Sequence, residues 1–272
     1  MAITELSPPS TTTSDTIVNV EGIGKVYPGG TVALKGVDLD IPKGEMTTLL
    51  GPSGCGKTTL LKIIAGLLDS TEGQIKINGK VVTGPGPERA FVFQDFALLP
   101  WATVLDNVAF GLEMQGMGKA EREAVAHRNI EKVGLTGFHA NYPHELSGGM
   151  RQRVGLARAL SVSADVLLMD EPFSAVDEQT RRLFQEELLR LLATENKTVI
   201  FVTHSIEEAV YVSDQIVLLS PRPGRINRIV RAEFDRHGKT ADEIRREEGF
   251  LDTVEDIWST LKEYLIDERM VE

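Results

Sequence analysis

The chain has 272 residues, 42% hydrophobic and 25% charged, with a formal net charge of −11. That length suits one substantial globular domain or two small lobes, and the acidic balance argues against non-specific nucleic-acid binding without excluding a local anion cradle. No apolar run approaches the roughly 20 residues needed to cross a bilayer, and a single cysteine, Cys55, forms no internal disulfide and fits a reducing cytoplasm.

Residues 1–15 read as a flexible leader, rich in Ser, Thr and Pro, with neither the basic start nor the apolar core of a signal peptide. Short segments at 16–20, 32–41 and 73–82 read as strands of an antiparallel sheet. The last contains Ile75 and Ile77 ahead of Asn78-Gly79, a hairpin turn pair. A second group of segments, 47–50, 91–93, 166–169, 199–202 and 216–219, is almost continuously apolar, and each is followed by polar residues. Such strands suit a sheet covered on both faces, with ligand groups gathered where the strands end. Between 95 and 165 the spacing turns helical, as in 121–133 and in Met150, Val154, Ala157 and Leu160, and Ser147 is a suitable N-cap for the last helix there. In the tail, Leu251, Val254, Trp258, Leu261 and Leu265 form an apolar stripe expected to pack on the main body.

Gly51-Pro52-Ser53-Gly54-Cys55-Gly56-Lys57-Thr58 matches the full phosphate-binding P-loop pattern between a strand and a helix. The glycines let successive N–H groups face one centre, and the helix N-terminus adds attraction for phosphate. Lys57 is placed to reach the β- and γ-phosphates, Thr58 to ligate Mg²⁺, and Thr59 to stand behind it. Cys55 reads as a packing residue, and a bulky adduct on it should block nucleotide.

Asp170 and Glu171 follow the apolar segment at 166–169. Asp170 suits Mg²⁺, held through water, and Glu171 suits the orientation and polarisation of an attacking water. Two acids after a strand also suit an ordinary turn cap, and the upstream P-loop favours the catalytic reading. Gln94 ends another strand, where its amide can meet Mg²⁺ or water. His204 ends a third, where an imidazole can bond the γ-phosphate or support Glu171.

Leu146-Ser147-Gly148-Gly149-Met150-Arg151-Gln152 resembles the signature of ATP-binding-cassette (ABC) proteins. Lys57, Gln94, Asp170-Glu171, Ser174-Ala175-Val176-Asp177 and His204 follow in that family's order over roughly residues 18–221. The resemblance implies an α/β fold: a P-loop nucleotide hydrolase core with an antiparallel β subdomain and an inserted helical subdomain. It implies an ATPase domain over 16–232, with the helical lobe at 95–165 and a helical C-terminal extension at 233–272. ATP and Mg²⁺ are the implied cofactors. Tyr27 would stack on adenine, and Ser147, Gly148 and Gly149 would meet ATP bound to a second ATPase subunit, the pair being a homodimer. Asp177 would help connect the two sites, and Val176 replaces the usual leucine beside it.

Gly84-Pro85-Gly86-Pro87-Glu88-Arg89, Leu98-Leu99-Pro100-Trp101 and Ser220-Pro221-Arg222-Pro223-Gly224-Arg225-Ile226 resemble importers of nitrate, sulfonates and taurine. That implies two transmembrane permease subunits, indirect coupling to a solute-binding protein, and a peripheral position on the cytoplasmic face of the membrane. The alternative is a soluble ATPase of the same type, coupling nucleotide to a non-transport protein or nucleic-acid process. The compact single cassette lacks the long insertion or second cassette usual there. A non-hydrolysing scaffold is disfavoured by Lys57, Glu171 and His204.

Overall fold

The computed structural model describes residues 16–174, 178–195, 197–232, 234 and 239–271, with the side chains of 178–180, 193 and 265–271 outside that description. The leader and Asp177 therefore lie outside the described residues. The elements in order are β1 (Thr16–Val26), β2 (Val32–Pro42), β3 (Met46–Leu50), α1 (Lys57–Ile64), β4 (Glu72–Ile77), β5 (Lys80–Val81) and β6 (Arg89–Val92). Helices α2 (Val104–Met114), α3 (Lys119–Lys132) and α4 (Gly148–Ser161) follow, then β7 (Val166–Asp170), α5 (Glu178–Glu195), β8 (Thr198–Val202), α6 (Ile206–Val212), β9 (Gln215–Leu219) and β10 (Ile226–Arg231). The chain closes with α7 (Ala241–Ile244) and α8 (Glu248–Val271).

Two sheets form. One is antiparallel, in the order β2-β1-β4-β5, with Asn78 and Gly79 at positive φ making the β4–β5 turn. The other runs β10-β9-β3-β8-β7-β6 and is parallel from β9 to β6. Every residue of β3, β7, β8 and β9 is buried, because both faces of this sheet are covered. Alternation divides the strands between two cores. Val166 and Leu168 of β7 join α1 and the antiparallel sheet, while Leu167 and Met169 face the opposite, helix-covered side. Helices α2, α3 and α4 pack on one another between β6 and β7. This is the P-loop ATPase architecture implied by the motifs.

Two features depart from the sequence reading. Strand β10 is an extra antiparallel edge strand on β9. Its mostly exposed face and its two arginines obscure any alternation, and those arginines pair with Asp256 of α8 (Arg228) and Glu45 (Arg231). The tail helix packs through a face one position away from the predicted stripe. Phe250 and Ile257 are buried, and Val254 and Leu261 pack beside them, whereas Leu251 and Trp258 are about half exposed. Val254 and Leu261 lie on the edge shared by both stripes, so spacing alone did not separate them; Leu265's side chain lies outside the described residues.

The two tail faces should respond differently to truncation. Ile257→Ala empties a site with 0% exposure and should cost about 2–5 kcal/mol. Trp258→Ala, at 51% exposure, should cost about 1 kcal/mol or less. Urea unfolding of both variants measures the difference; equal losses would contradict this packing.

Candidate functional site

The P-loop bridges the end of β3 and the start of α1. Gly56 sits at φ 107°, and a Cβ there would lie 2.6 Å from Leu34 Cδ2, so both conformation and space call for glycine. Gly56 gives α1 no side-chain cap, which leaves first-turn N–H groups for an anion. The Lys57 ammonium is buried and donates to the carbonyls of Gly51 (2.8 Å) and Pro52 (3.0 Å). Cys55 is fully buried beneath it. Burial pushes its thiol pKa up against the opposing effect of Lys57, so the thiol stays protonated and adduct formation is slowed.

Asp170, the last residue of β7, accepts a 2.8 Å hydrogen bond from Thr58 Oγ1. Burial raises its carboxyl pKa, while the Thr58 bond and the lysines at 62 and 57 pull it down. A buried carboxylate next to a hydroxyl forms an oxygen donor set of the kind that hard divalent cations prefer. Glu171 follows at φ 44°, a left-handed conformation costing about 1 kcal/mol or more. It is held from both ends: its N–H donates to Val202 O (3.0 Å), and its carbonyl accepts from the Ser174 N–H (3.2 Å) and hydroxyl (3.0 Å). Gln94 Nε2 and His204 Nδ1 each lie 3.5 Å from the same carboxylate oxygen of Glu171. Gln94 thus meets Glu171 and makes no hydrogen bond to the Thr58–Asp170 pair.

A cleft of about 310 Å³ opens over the loop, lined among others by Tyr27, Ser53, Lys57, Thr58, Thr59 and Glu171. Tyr27, in the β1–β2 turn, is partly exposed at the cleft, and its hydroxyl lies 3.1 Å from Thr59 Oγ1. Thr31, Ala33 and Arg222 also line the cleft, and site reasoning from sequence had not singled them out. Arg222 reaches Gly54 O through Nε (3.4 Å) and Nη2 (3.3 Å). Its loop docks through Gly224, whose N–H donates to Ala33 O at 2.9 Å and whose carbonyl accepts from Lys35 N at 3.1 Å. The available signal was the 220–226 motif, which carried only a subgroup resemblance.

Ser147, Gly148 and Gly149 lie elsewhere. Ser147 is exposed and caps α4, its Oγ accepting from Met150 N at 3.3 Å. None of the three lines the cleft of its own chain.

The sequence profile of the ABC transporter family matches residues 34–174, more than half of the chain. The chain belongs to that family. An uncharacterised ABC transporter ATP-binding protein of Methanocaldococcus jannaschii is 52% identical over 222 residues, covering 80% of this chain and 83% of that one. The taurine import ATP-binding protein of Pseudomonas syringae pv. tomato is 46% identical over 249 residues, 90% of this chain and 95% of its own length. Among solved structures, a dimeric post-hydrolysis ATP-binding cassette with ADP and Pi matches at TM-score 0.72 and 32% identity, covering 80% of this chain and all of that one. A Clostridium perfringens component of an ABC transporter complex matches at TM-score 0.73 and 26% identity, covering 89% and 95%. This ABC-family chain is an ATP-binding, ATP-hydrolysing transporter subunit. Among its described residues no helix is long and apolar enough to cross a membrane.

The contact between the 220–226 loop and the P-loop gives a direct test. A Cβ on Gly224 would stand 2.0 Å from the Cys55 carbonyl oxygen. Gly224→Ala must therefore push the two loops apart, and calorimetry should find ATP affinity reduced by about tenfold or more, equivalent to roughly 1.4 kcal/mol. Unchanged affinity would show that the cradle does not depend on this docking.

Proposed function

We propose that the chain powers import of a small anionic solute of the nitrate, sulfonate or taurine type, as one of two ATPase subunits under a pair of membrane permease subunits. The observation that carries this reading is the 46% identity to a taurine import ATP-binding protein across 90% of the chain. The solute itself would be selected by the permease and a separate binding protein. The chain would sit peripherally on the cytoplasmic face. The working unit is residues 16–232, with the 95–165 lobe facing the permease and 233–272 as an extension.

In this reading Tyr27 stacks on adenine, and the loop from Gly51 to Gly56, with Lys57 and Thr59, holds the phosphates. Lys57 exchanges two loop carbonyls for phosphate oxygens. Thr58 and Asp170, together with Gln94, would hold Mg²⁺, a role supported by the partly buried hydrogen bond that Thr58 and Asp170 already form. When bound, the ion neutralises charge on the transferring phosphoryl group. Glu171 takes the proton of the attacking water. His204 and Gln94, both at the same Glu171 oxygen, hold that carboxylate and the water in place.

Ser147, Gly148 and Gly149 serve the other subunit's nucleotide. They start a 14-residue helix on an accessible surface outside their own cleft, a suitable anion site for a second copy. The similar cassette holding ADP and Pi is dimeric, which supports a homodimer, and the head-to-tail arrangement rests on the position of Ser147 outside its own cleft. Asp177, assigned to communication between the sites, lies outside the described residues. ATP favours the closed pair because both subunits contact it, and loss of the γ-phosphate contacts lets the pair reopen.

Glu171→Gln keeps size and hydrogen bonding but removes the base. Turnover should fall by about 10²–10⁴ while ATP binding persists and ATP-bound dimers accumulate in light scattering. Adding Ser147→Arg should abolish those dimers. Near-normal turnover in the first variant, or persistent dimers in the second, would contradict the assigned roles.

Trp101 is 75% exposed beside Leu98 and Leu99. A photo-crosslinker at Trp101 in native membranes should capture a transmembrane subunit. Capture of soluble proteins alone would favour a non-transport ATPase.

A further inference from the structure

A buried polar chain runs from the C-terminal extension to the residue beside His204. Arg245, at the end of α7, donates from Nη2 to Gln185 Oε1 on α5 at 2.9 Å. Gln185 Nε2 donates to Glu208 Oε1 on α6 at 3.2 Å. Glu208 Oε2 accepts the Thr203 hydroxyl at 2.5 Å, and Thr203 Oγ1 accepts the Ser205 N–H at 3.1 Å. Gln185, Glu208 and Thr203 are all buried. The Arg245 guanidinium also lies over the Tyr211 ring, 4.9 Å from its centroid, and Arg181 Nε stands 3.7 Å from Glu208.

The chain has a definite direction. An arginine offers only donors, so it fixes the Gln185 carbonyl toward itself and the Gln185 NH₂ toward Glu208. Glu208 accepts at both oxygens, from Gln185 and from the single Thr203 hydroxyl proton, which leaves a Thr203 lone pair for the Ser205 N–H. The hydroxyl of Thr203 thereby bonds to groups on the far side of His204, at 205 and 208. A flipped Gln185 amide would turn oxygen against carboxylate in a buried setting, where an unmatched polar group is costly.

We propose that the C-terminal extension sets the position of His204 through this chain, with Arg245 as a positioning residue for ATP hydrolysis. The proposal rests on the reading of His204 as a partner of Glu171. It gives the extension a part in setting the turnover rate, by way of a side chain that touches no nucleotide.

The test uses the full chain and steady-state ATP hydrolysis with Mg²⁺. Arg245→Met should lower kcat by about tenfold, the size expected for losing one charge-assisted hydrogen bond, with KM for ATP changing by less than about twofold. Arg245→Lys, which restores a cationic donor, should recover part of the rate. In a His204→Ala background, Arg245→Met should have no further effect, because the two act in series. Should Arg245→Met fail to fold, Thr203→Val cuts the chain at its other end and should give the same pattern. An unchanged kcat beside a slow His204→Ala enzyme overturns the proposal and leaves the His204 reading intact. So does an equal loss in the His204→Ala background, or a rise in KM that accounts for the lost efficiency. A His204→Ala enzyme with full kcat removes the His204 reading itself, and the proposal with it.

Discussion

Val202 of β8 stands opposite Leu49 of β3 on one side and Asp170 of β7 on the other. This double register decides where the P-loop begins relative to the acid pair. Neighbouring strands are about 4.8 Å apart, so two spacings separate Leu49 from Asp170 by roughly 10 Å. That gap is bridged when the chain leaves β3, loops outward and returns into α1, bringing Thr58 back within hydrogen-bond reach of Asp170. A one-residue slip of β8 would turn its side chains between the two cores and move Thr203-His204 away from Glu171. The continuous burial of β3, β7, β8 and β9 makes such a slip costly.

Within that frame the site holds polar groups under unfavourable conditions. Lys57 and Asp170 are buried, and Glu171 occupies a left-handed backbone conformation. Each is restrained by hydrogen bonds of the loop and sheet: carbonyls on the Lys57 ammonium, Thr58 on Asp170, and Val202 with Ser174 on Glu171. The bonds on the Glu171 backbone, from Ser174 and to Val202, are neutral and contribute about 0.5–1.5 kcal/mol each, together enough to offset local strain of about 1 kcal/mol or more. The raised Asp170 pKa marks the desolvation that remains. A cation beside it would favour the ionised form, so cation binding and the burial of this carboxyl reinforce each other.

Distant segments are tied to the sheet edge by comparably specific contacts. Arg158 on α4 donates to the carbonyls of Phe96 and Ala97, two positive-φ residues just after Gln94. Phe96 packs against the same helix at Gly155. The helix that begins at Ser147 and the loop that carries Gln94 are therefore held as one piece. On the other side, Gly224 presses the β9–β10 loop onto the P-loop. Packed junctions of this kind are the contacts through which helix position and nucleotide contact can be coupled.

The sequence by itself determined the parts whose physics is local. Gly51 to Thr58 declared a phosphate cradle because its conformation and donors lie within eight consecutive residues. Continuous apolar runs marked the covered parallel strands because burial on both faces removes alternation. Ser147 was legible as a cap because the cap bond spans three residues. What only the tertiary structure decided depends on contacts distant in sequence. Arg222 and Ala33 come to the cleft because Gly224 permits a close approach to Cys55. Strand β10 exists because β9 offers an edge, although its own residues show little pattern. The tail helix buries Phe250 and Ile257 in place of Leu251 and Trp258, since helical spacing fixes the width of an apolar stripe while the surface it meets selects which edge is covered. The chain from Arg245 to Thr203 joins α7, α5, α6 and the end of β8; only its Thr203–Glu208 end lies within one short stretch of sequence, and Gln185 and Arg245 reach it from distant segments.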